Sequence, residues 1–138
     1  MNDLVIANIG RIVSGDIAQP LLPGDTLVVR DGKIAAIGAA SAVDAQGIDH
    51  VVDAGGCQLW PGLIDSHTHP VVGDYTPRQQ TLGFIESGLH GGVTRIISAG
   101  EVHFPGRPKD AAGTKALAIL GAKASAVFRP GGVKVLAG

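Results

Sequence analysis

The first 57 residues alternate short apolar segments with turn residues. The segments rich in Val and Ile are residues 4–9, 26–30, 33–38 and 51–53. Asp31-Gly32 separates two of them and favours a hairpin with a type I′ turn, because both central residues of that turn need positive φ. No G-x-G-x-x-G or Walker sequence is present, so we interpret the glycines as turn residues rather than a phosphate-binding loop. Residues 1–57 are therefore predicted to form a small β-domain.

A helical period begins after residue 75. Thr76, Pro77 and Gln79 fit the N-cap, first and third positions of a helix, a variant of the capping box. Apolar residues then recur at i, i+3 and i+7, namely Leu82, Ile85 and Leu89. Gly91 is expected to end this helix in the left-handed conformation that glycine adopts easily.

A strand, a second helix and a third strand follow. The strand is predicted over residues 93–97, and Asp110 is predicted to cap the second helix. Arg129-Pro130 is expected to end that helix, because the residue before proline avoids the α region. The third strand covers residues 133–137. The apolar face of the second helix is formed by Leu117, Leu120, Ala124 and Phe128.

This order of elements predicts an α/β protein in two parts with a parallel sheet in the second. Parallel strands need both faces covered, which three strands and two helices cannot achieve alone. We therefore interpret residues 58–138 as the first three strands and two helices of a truncated (β/α)₈ TIM-type barrel, a fold of about 250 residues. Residues 1–57 are expected to be the N-terminal part of a composite β-sandwich, completed by strands beyond residue 138.

Composition and charge narrow the function classes. An apolar share of 45% disfavours disorder, and a net charge of −1 with scattered basic residues disfavours nucleic acid and anionic membranes as partners. The partner is predicted to be a small molecule. Cys57 is the single cysteine, so no internal disulfide is possible, and we expect it to be buried. The start lacks a signal-peptide pattern and no run of about 18 apolar residues occurs, which predicts a cytoplasmic protein.

An apolar segment ends in two histidines, His67 and His69, separated by one residue. In a strand both side chains project to one face, together with Asp65. Two neutral imidazoles aimed at one point would form half a metal site, and the alternative is a pair of surface or core histidines. Functional residues of a barrel lie at the strand exits, so the position after the first parallel strand favours a metal site.

These residues resemble the amidohydrolase superfamily. The resemblance lies in residues 31–38, 52–56 and 60–69, and it implies a metal-dependent hydrolase acting on C–N bonds with a binuclear centre. A narrower likeness, over residues 73–79, 89–94 and 103–117, is to a cyclic amidase of nicotinate catabolism. It implies zinc and/or iron, with His67 and His69 as ligands of the more buried metal. The other ligands and the catalytic aspartate are expected beyond residue 138. No catalytic residue is therefore assigned within this chain, which is expected to be inactive alone.

Further polar residues are candidates for supporting roles. Asp65 could orient a histidine through its ring N–H, or could accept a backbone hydrogen bond at the strand end. Residues at the catalytic end of the barrel could bind a carboxylate-bearing substrate, and solvation of a polar loop is the alternative for each. These candidates are Tyr75, Arg78, His103, Arg107 and Lys109.

Three hypotheses on function follow from these patterns. The first is the cyclic amidase of nicotinate catabolism, expected to form a homo-oligomer at full length. The second is another cyclic amidase or deaminase of the same superfamily, since related enzymes could share these loops. The third is a catalytically dead chain that acts only by association through its open barrel edge, because unpaired strands can pair with other chains.

Overall fold

The structure is a computed structural model that describes residues 3–76, 79–100, 103 and 106–137, with the backbone alone at residues 75, 76 and 79. The chain divides into two compact units, Met1–Pro61 and Gly62–Gly138. Within the described residues, the two α-helices lie in the second unit, and none is long and apolar enough to cross a membrane. The mixture of strands with few helices confirms the coarse fold class, whereas the sandwich and the barrel stay predictions.

The first unit is formed by short strands in two sheets. They are β1 (Leu4–Ala7), β2 (Arg11–Val13), β3 (Leu21–Leu22), β4 (Thr26–Arg30), β5 (Lys33–Gly38), β6 (Val51–Asp53) and β7 (Gln58–Leu59). One sheet has the order β5-β4-β1-β6 and the other β3-β2-β7. The antiparallel pairs are β1 with β4, β4 with β5 and β2 with β3, whereas β6 and β7 pair parallel with β1 and β2.

The β4–β5 hairpin forms as predicted. Asp31 and Gly32 have φ of 52° and 72°, the positive values that a type I′ turn requires. The strand pairing closes around them, with Arg30 opposite Lys33. The turn therefore sets the pairing next to it, and a register shift between Val28 and Val29 changes the pairing farther along the strands.

The larger sheet buries apolar side chains on both faces. Adjacent residues of a strand point to opposite sides, and Val28 is completely buried while its neighbour Leu27 is 6% exposed. Val28 packs with Val5 and Ile48. On the other face, Leu27 packs in a cluster to which the smaller sheet contributes Ile12, Leu22 and Leu59. This second cluster therefore joins the two sheets, while the first lies on the opposite face of the larger sheet.

A polar turn follows β6. The carboxylate of Asp53 accepts hydrogen bonds from the Gly55 N–H at 2.8 Å and from the Asn8 side-chain amide at 3.0 Å. The Gly55 bond first and the Asn8 bond second lower the pKa of Asp53 below its ordinary value. Cys57, two residues after Gly55, is exposed, so the expectation of a buried cysteine was wrong. The glycine turn places it at the surface of the unit.

The second unit contains a parallel sheet with helices in its connections. Its elements are β8 (Leu63–Thr68), β9 (Asp74–Thr76), β10 (Gln79–Gln80), α1 (Thr81–His90), β11 (Val93–Ser98), α2 (Ala111–Val127), a 3₁₀ turn (Pro130–Gly132) and β12 (Lys134–Leu136). The sheet has the order β12-β11-β8, and both pairs are parallel. Its core is formed by Ile85, Ile96, Val133 and Val135. The predicted strand–helix–strand–helix–strand order is therefore present.

The start and the end of α1 differ from the prediction. Thr76 was predicted to cap the helix, but it lies in β9 and pairs antiparallel with Gln79 of β10. The N-cap is Gln80, which makes no side-chain capping bond. Pro77, predicted at the first helical position, lies outside the described residues. At the other end Gly91 has φ of −84°, and Gly92 takes the left-handed conformation at 85°.

The capping of α2 agrees with the prediction. The Asp110 carboxylate accepts a hydrogen bond from the Gly113 N–H at 2.9 Å. That bond is the main cause that lowers the pKa of Asp110 below its ordinary value. The helix ends at Val127, and Phe128, predicted as its last apolar position, is the C-cap in an extended conformation.

Candidate metal centre

The two histidines lie at the C-terminal end of β8. His67 is the last residue but one of the strand, and His69 follows the strand end. Their ring centroids are 5.8 Å apart and the rings are nearly perpendicular, at 83°. Two imidazoles that bind one zinc ion at ~2.1 Å hold their ring centres at most about 6.5 Å apart. The observed separation therefore fits a pair of imidazoles that share one metal ion.

A third histidine joins this pair from a different part of the chain. The His103 ring stacks on the His69 ring with centroids 5.3 Å apart and planes 20° apart. The backbone N–H of His103 donates to the Pro70 carbonyl at 2.9 Å, and the Val72 N–H donates to the His103 carbonyl at 3.2 Å. These bonds form a parallel bridge between Val71 and His103. The segment after β8 and the segment after β11 are therefore joined beside the histidines.

The orientation of His103 suits packing better than ligation of the same ion. The lone pair of an imidazole nitrogen lies in the plane of the ring, so two stacked rings direct their lone pairs along nearly parallel lines. Among the residues that the structure describes, no set of three or more His, Cys, Asp or Glu side chains is arranged to hold a metal ion. The described part of the chain therefore offers two candidate ligands, His67 and His69, and a neighbour that packs on one of them.

The strict alternation used to place Asp65 on the face of the histidines does not hold in β8. From Asp65 to Thr68 this strand advances three residues, whereas β11 advances two, from Ile96 to Ser98. One extra residue in β8 forms a bulge, and a bulge changes which face the following side chains point to. The position of Asp65 relative to the histidines therefore cannot be taken from spacing.

Asp65 accepts a backbone hydrogen bond at the strand end, which is one of the two roles predicted for it. Its carboxylate accepts a hydrogen bond from the backbone N–H of His67 at 3.1 Å. It also lines a cavity of about 430 Å³ together with Phe84 and Ser87 of α1. Asp65 thus fixes the backbone that carries His67, while a role in orienting a metal-bound ring stays a prediction.

Thr81, the first residue of α1, was missed by the sequence reasoning. Its hydroxyl accepts a hydrogen bond from the Gly73 N–H at 2.9 Å and lies 3.0 Å from the Val71 carbonyl and 3.2 Å from the Gly73 carbonyl. Its backbone N–H donates to the Gly73 carbonyl at 2.9 Å. The segment that follows His69 is therefore tied to the start of α1. A threonine at a helix start does not by itself predict such contacts, because the path of the preceding loop decides which backbone groups its hydroxyl meets.

The remaining predicted site residues line another cavity or lie outside the described residues. Arg107 and Lys109 are exposed and line a separate cavity of about 350 Å³ with Thr114 and Leu117 of α2. Arg78 lies outside the described residues, and the Tyr75 side chain is not described either. Their proposed contacts with substrate stay predictions.

Comparison of the sequence and the fold with known proteins indicates the class to which the chain is similar. No family model matches the chain. Its sequence and fold nevertheless match the N-terminal part of an amidohydrolase-superfamily protein, and that particular relative is enamidase. Enamidase from Eubacterium barkeri is 57% identical over 138 residues, which are 100% of this chain and 36% of enamidase. Its crystal structure matches 99% of this chain with a TM-score of 0.84 and 55% identity.

Two other relatives are more distant. Imidazolonepropionase from Arthrobacter sp. (strain FB24) is 37% identical over 96 residues, which are 69% of this chain and 24% of that protein. The structure of L-hydantoinase (dihydropyrimidinase) from Arthrobacter aurescens matches 71% of this chain and 20% of its own, at 33% identity and a TM-score of 0.51. The chain thus spans about a third or less of the length of these relatives.

Proposed function

We propose that the chain supplies the first two metal ligands, His67 and His69, of a metal-dependent hydrolase that opens a cyclic amide at its C–N bond. The proposal rests on one observation above all. The two imidazoles stand 5.8 Å apart at the exit of a parallel strand, in a chain 57% identical to enamidase. The same resemblance supports completion of the parallel sheet into a (β/α)₈ barrel and of the first unit into a β-sandwich.

The donor set fits the proposed metals. Neutral imidazole nitrogen is a common ligand of zinc and of iron, and we propose a binuclear centre with one or both of these metals. When bound, such a metal supplies a water acidic enough to ionise near neutral pH and a Lewis acid for the amide carbonyl. His67 and His69 hold the cation, and the hydrogen bond from the His67 backbone to Asp65 steadies the strand end. The other ligands and the aspartate that transfers a proton to the leaving nitrogen are proposed to lie in sequence beyond this chain.

The substrate that we propose is 6-oxo-tetrahydronicotinate, with release of ammonium, in nicotinate degradation in the cytoplasm. This substrate carries a ring carboxylate, and Arg107 and Lys109 are exposed cationic residues that suit such a group. We further propose that the complete protein is a homo-oligomer. The second candidate is an imidazolonepropionase-like or dihydroorotase-like enzyme, which the 37% identity to imidazolonepropionase favours.

A third candidate, association without catalysis, is favoured by the edge of the sheet. β8 ends the order β12-β11-β8, and its residues Leu63 and Ile64 are 51% and 57% exposed among the described residues. An edge strand with exposed apolar side chains can pair with another chain.

Turnover by the complete protein separates these candidates. We expect ammonium release from 6-oxo-tetrahydronicotinate, loss of that activity after chelation, and recovery with Zn²⁺ or Fe²⁺. Faster turnover of an imidazolone or a dihydroorotate would favour the second candidate. No turnover of any of these rings by a metal-loaded protein would favour association. Turnover that is indifferent to chelation would contradict the metal-dependent mechanism.

A further inference from the structure

We propose that His103 and Thr81 form a brace that sets the orientation of the His69 ring before a metal binds. Both are positioning residues in this proposal, and neither is a metal ligand. The inference rests on the proposed function in one respect, which is that His69 binds the metal. It adds two residues that act through His69 and that lie on different segments of the chain.

The first contact of the brace is the ring stack. His103 lies 5.3 Å from His69 between ring centroids, with planes 20° apart. A flat ring packed on an imidazole restricts rotation about the second side-chain torsion, which is otherwise broad for histidine. His69 is half-buried and His103 is exposed, so the ring of His103 stands on the solvent side of this pair. The plane of the His69 ring, and with it the direction of the nitrogen lone pair, is therefore held by its neighbour.

The second contact fixes where the His103 ring stands. His103 is bound through its backbone to Pro70 and Val72, at 2.9 Å and 3.2 Å. Pro70 directly follows His69 in the chain, so the backbone of His103 is fixed to the residue next to the one it packs on. Val71, between the two bonds, is 7% exposed, which keeps the bridge anchored in the apolar interior of the unit.

The third contact ties this bridge to α1. The Thr81 hydroxyl lies within hydrogen-bond distance of the Val71 carbonyl and of both polar backbone groups of Gly73. A hydroxyl has one proton, so it donates to one carbonyl at a time and accepts from the Gly73 N–H. Together with the Thr81 N–H bond to the Gly73 carbonyl, these contacts leave residues 71–73 little freedom to move away from the helix start. The brace therefore runs from α1 through Val71 and His103 to His69.

A preoriented ligand binds its metal more tightly, because less conformational freedom is lost on binding. Groups that orient ligating histidines typically change metal affinity by ~10–100-fold when they are removed. His103 could act through its flat ring or through a ring nitrogen, and these two hypotheses make opposite predictions. If the flat ring matters, phenylalanine can replace histidine, whereas if a ring nitrogen matters, it cannot.

The test is the affinity of the complete protein for Zn²⁺, measured by competition with a chromophoric chelator. We expect His103→Ala and Thr81→Val to weaken zinc binding by about tenfold or more, the lower end of the range for orienting groups. His103→Phe keeps the ring and Thr81→Ser keeps the hydroxyl, so both should stay within about threefold of the unsubstituted protein. Thr114→Val is the matched control, because the Thr114 hydroxyl donates to the Asp110 carbonyl at 2.9 Å in the first turn of α2. It should not alter zinc affinity.

Thermal unfolding of each variant separates positioning from folding. A purely structural role predicts that Thr81→Val and Thr114→Val change zinc affinity only in proportion to their loss of stability, and that result would overturn the brace. Equal weakening by His103→Phe and His103→Ala would overturn it too, since a ring nitrogen would then be the active part. If zinc binding survives His67→Ala with His69→Ala, the proposed function fails. If zinc binding is lost in that double variant but is unchanged in His103→Ala and Thr81→Val, only the brace hypothesis fails.

Discussion

Gly62, at the entry to the histidine-bearing strand, is a position where a single methyl group should be disruptive. It precedes β8 and lies against Thr94 of β11. A Cβ atom built on Gly62 would overlap the Thr94 Oγ1 atom and lie 2.5 Å from Cγ2 and 2.7 Å from Cβ. Rotation of the threonine side chain could move Oγ1 and Cγ2 but not Cβ, whose place is fixed by the backbone of β11. Gly62→Ala must therefore push the two strands apart.

The expected magnitude follows from the cost of overpacking. Extra atoms in a close-packed core cost about 1–3 kcal/mol, and because Gly62 and Thr94 are both exposed we expect the lower end of that range, about 1 kcal/mol. Urea unfolding followed by circular dichroism measures this change in the free energy of unfolding. Thr94→Gly removes all three clashing atoms, so Gly62→Ala should cost little in that background, apart from the loss that Thr94→Gly itself causes.

A glycine elsewhere in the same unit provides the control of opposite sign. At Gly88, inside α1, the nearest atom to an added Cβ is Ile96 Cδ1 at 3.5 Å, an ordinary contact. Gly88→Ala should therefore stabilise the protein by about 0.5–1 kcal/mol through helix propensity. An equal loss of stability from Gly62→Ala in the Thr94→Gly background would refute the steric reasoning, as would no loss in the original background.

Three further predictions concern a cap, a titration and a substrate contact. Asp110→Ala removes the N-cap of α2 and should lower the free energy of unfolding by about 1 kcal/mol in urea titrations at pH 7. Asn8→Ala should raise the pKa of Asp53 toward its ordinary value in a carboxyl NMR titration and leave Asp110 unchanged. Because both carboxyl groups have lowered pKa values, the stability they contribute is present above about pH 4 and is lost as the pH falls below it. Arg107→Ala should raise KM for a carboxylate-bearing substrate about tenfold with kcat little changed, and an unchanged KM would count against that contact.

Features governed by local chemistry were predictable from the sequence. The Asp31-Gly32 turn needs only the positive φ of two adjacent residues, and the Asp110 cap needs only an N–H three residues on. Each of these depends on residues within a few positions of one another.

Features that depend on partners far along the chain were not predictable. Thr76 and its neighbours carry a capping pattern, yet pairing with Gln79 places Thr76 in a strand. The contact of His103 with His69 requires the bridge to Val71, which no local pattern indicates. The bulge after Asp65 likewise follows from the register between β8 and β11, so alternation alone could not place that side chain relative to the histidines.

The metal content of the complete protein tests the central claim most directly. His67→Ala combined with His69→Ala should reduce bound zinc and iron, measured by elemental analysis after gel filtration, to the background level while the circular dichroism spectrum is retained. The matched control is His50→Ala combined with His90→Ala, two exposed histidines of which His90 ends α1. This control should keep the full metal content. Equal metal content in both double variants would contradict the assignment of His67 and His69 as ligands.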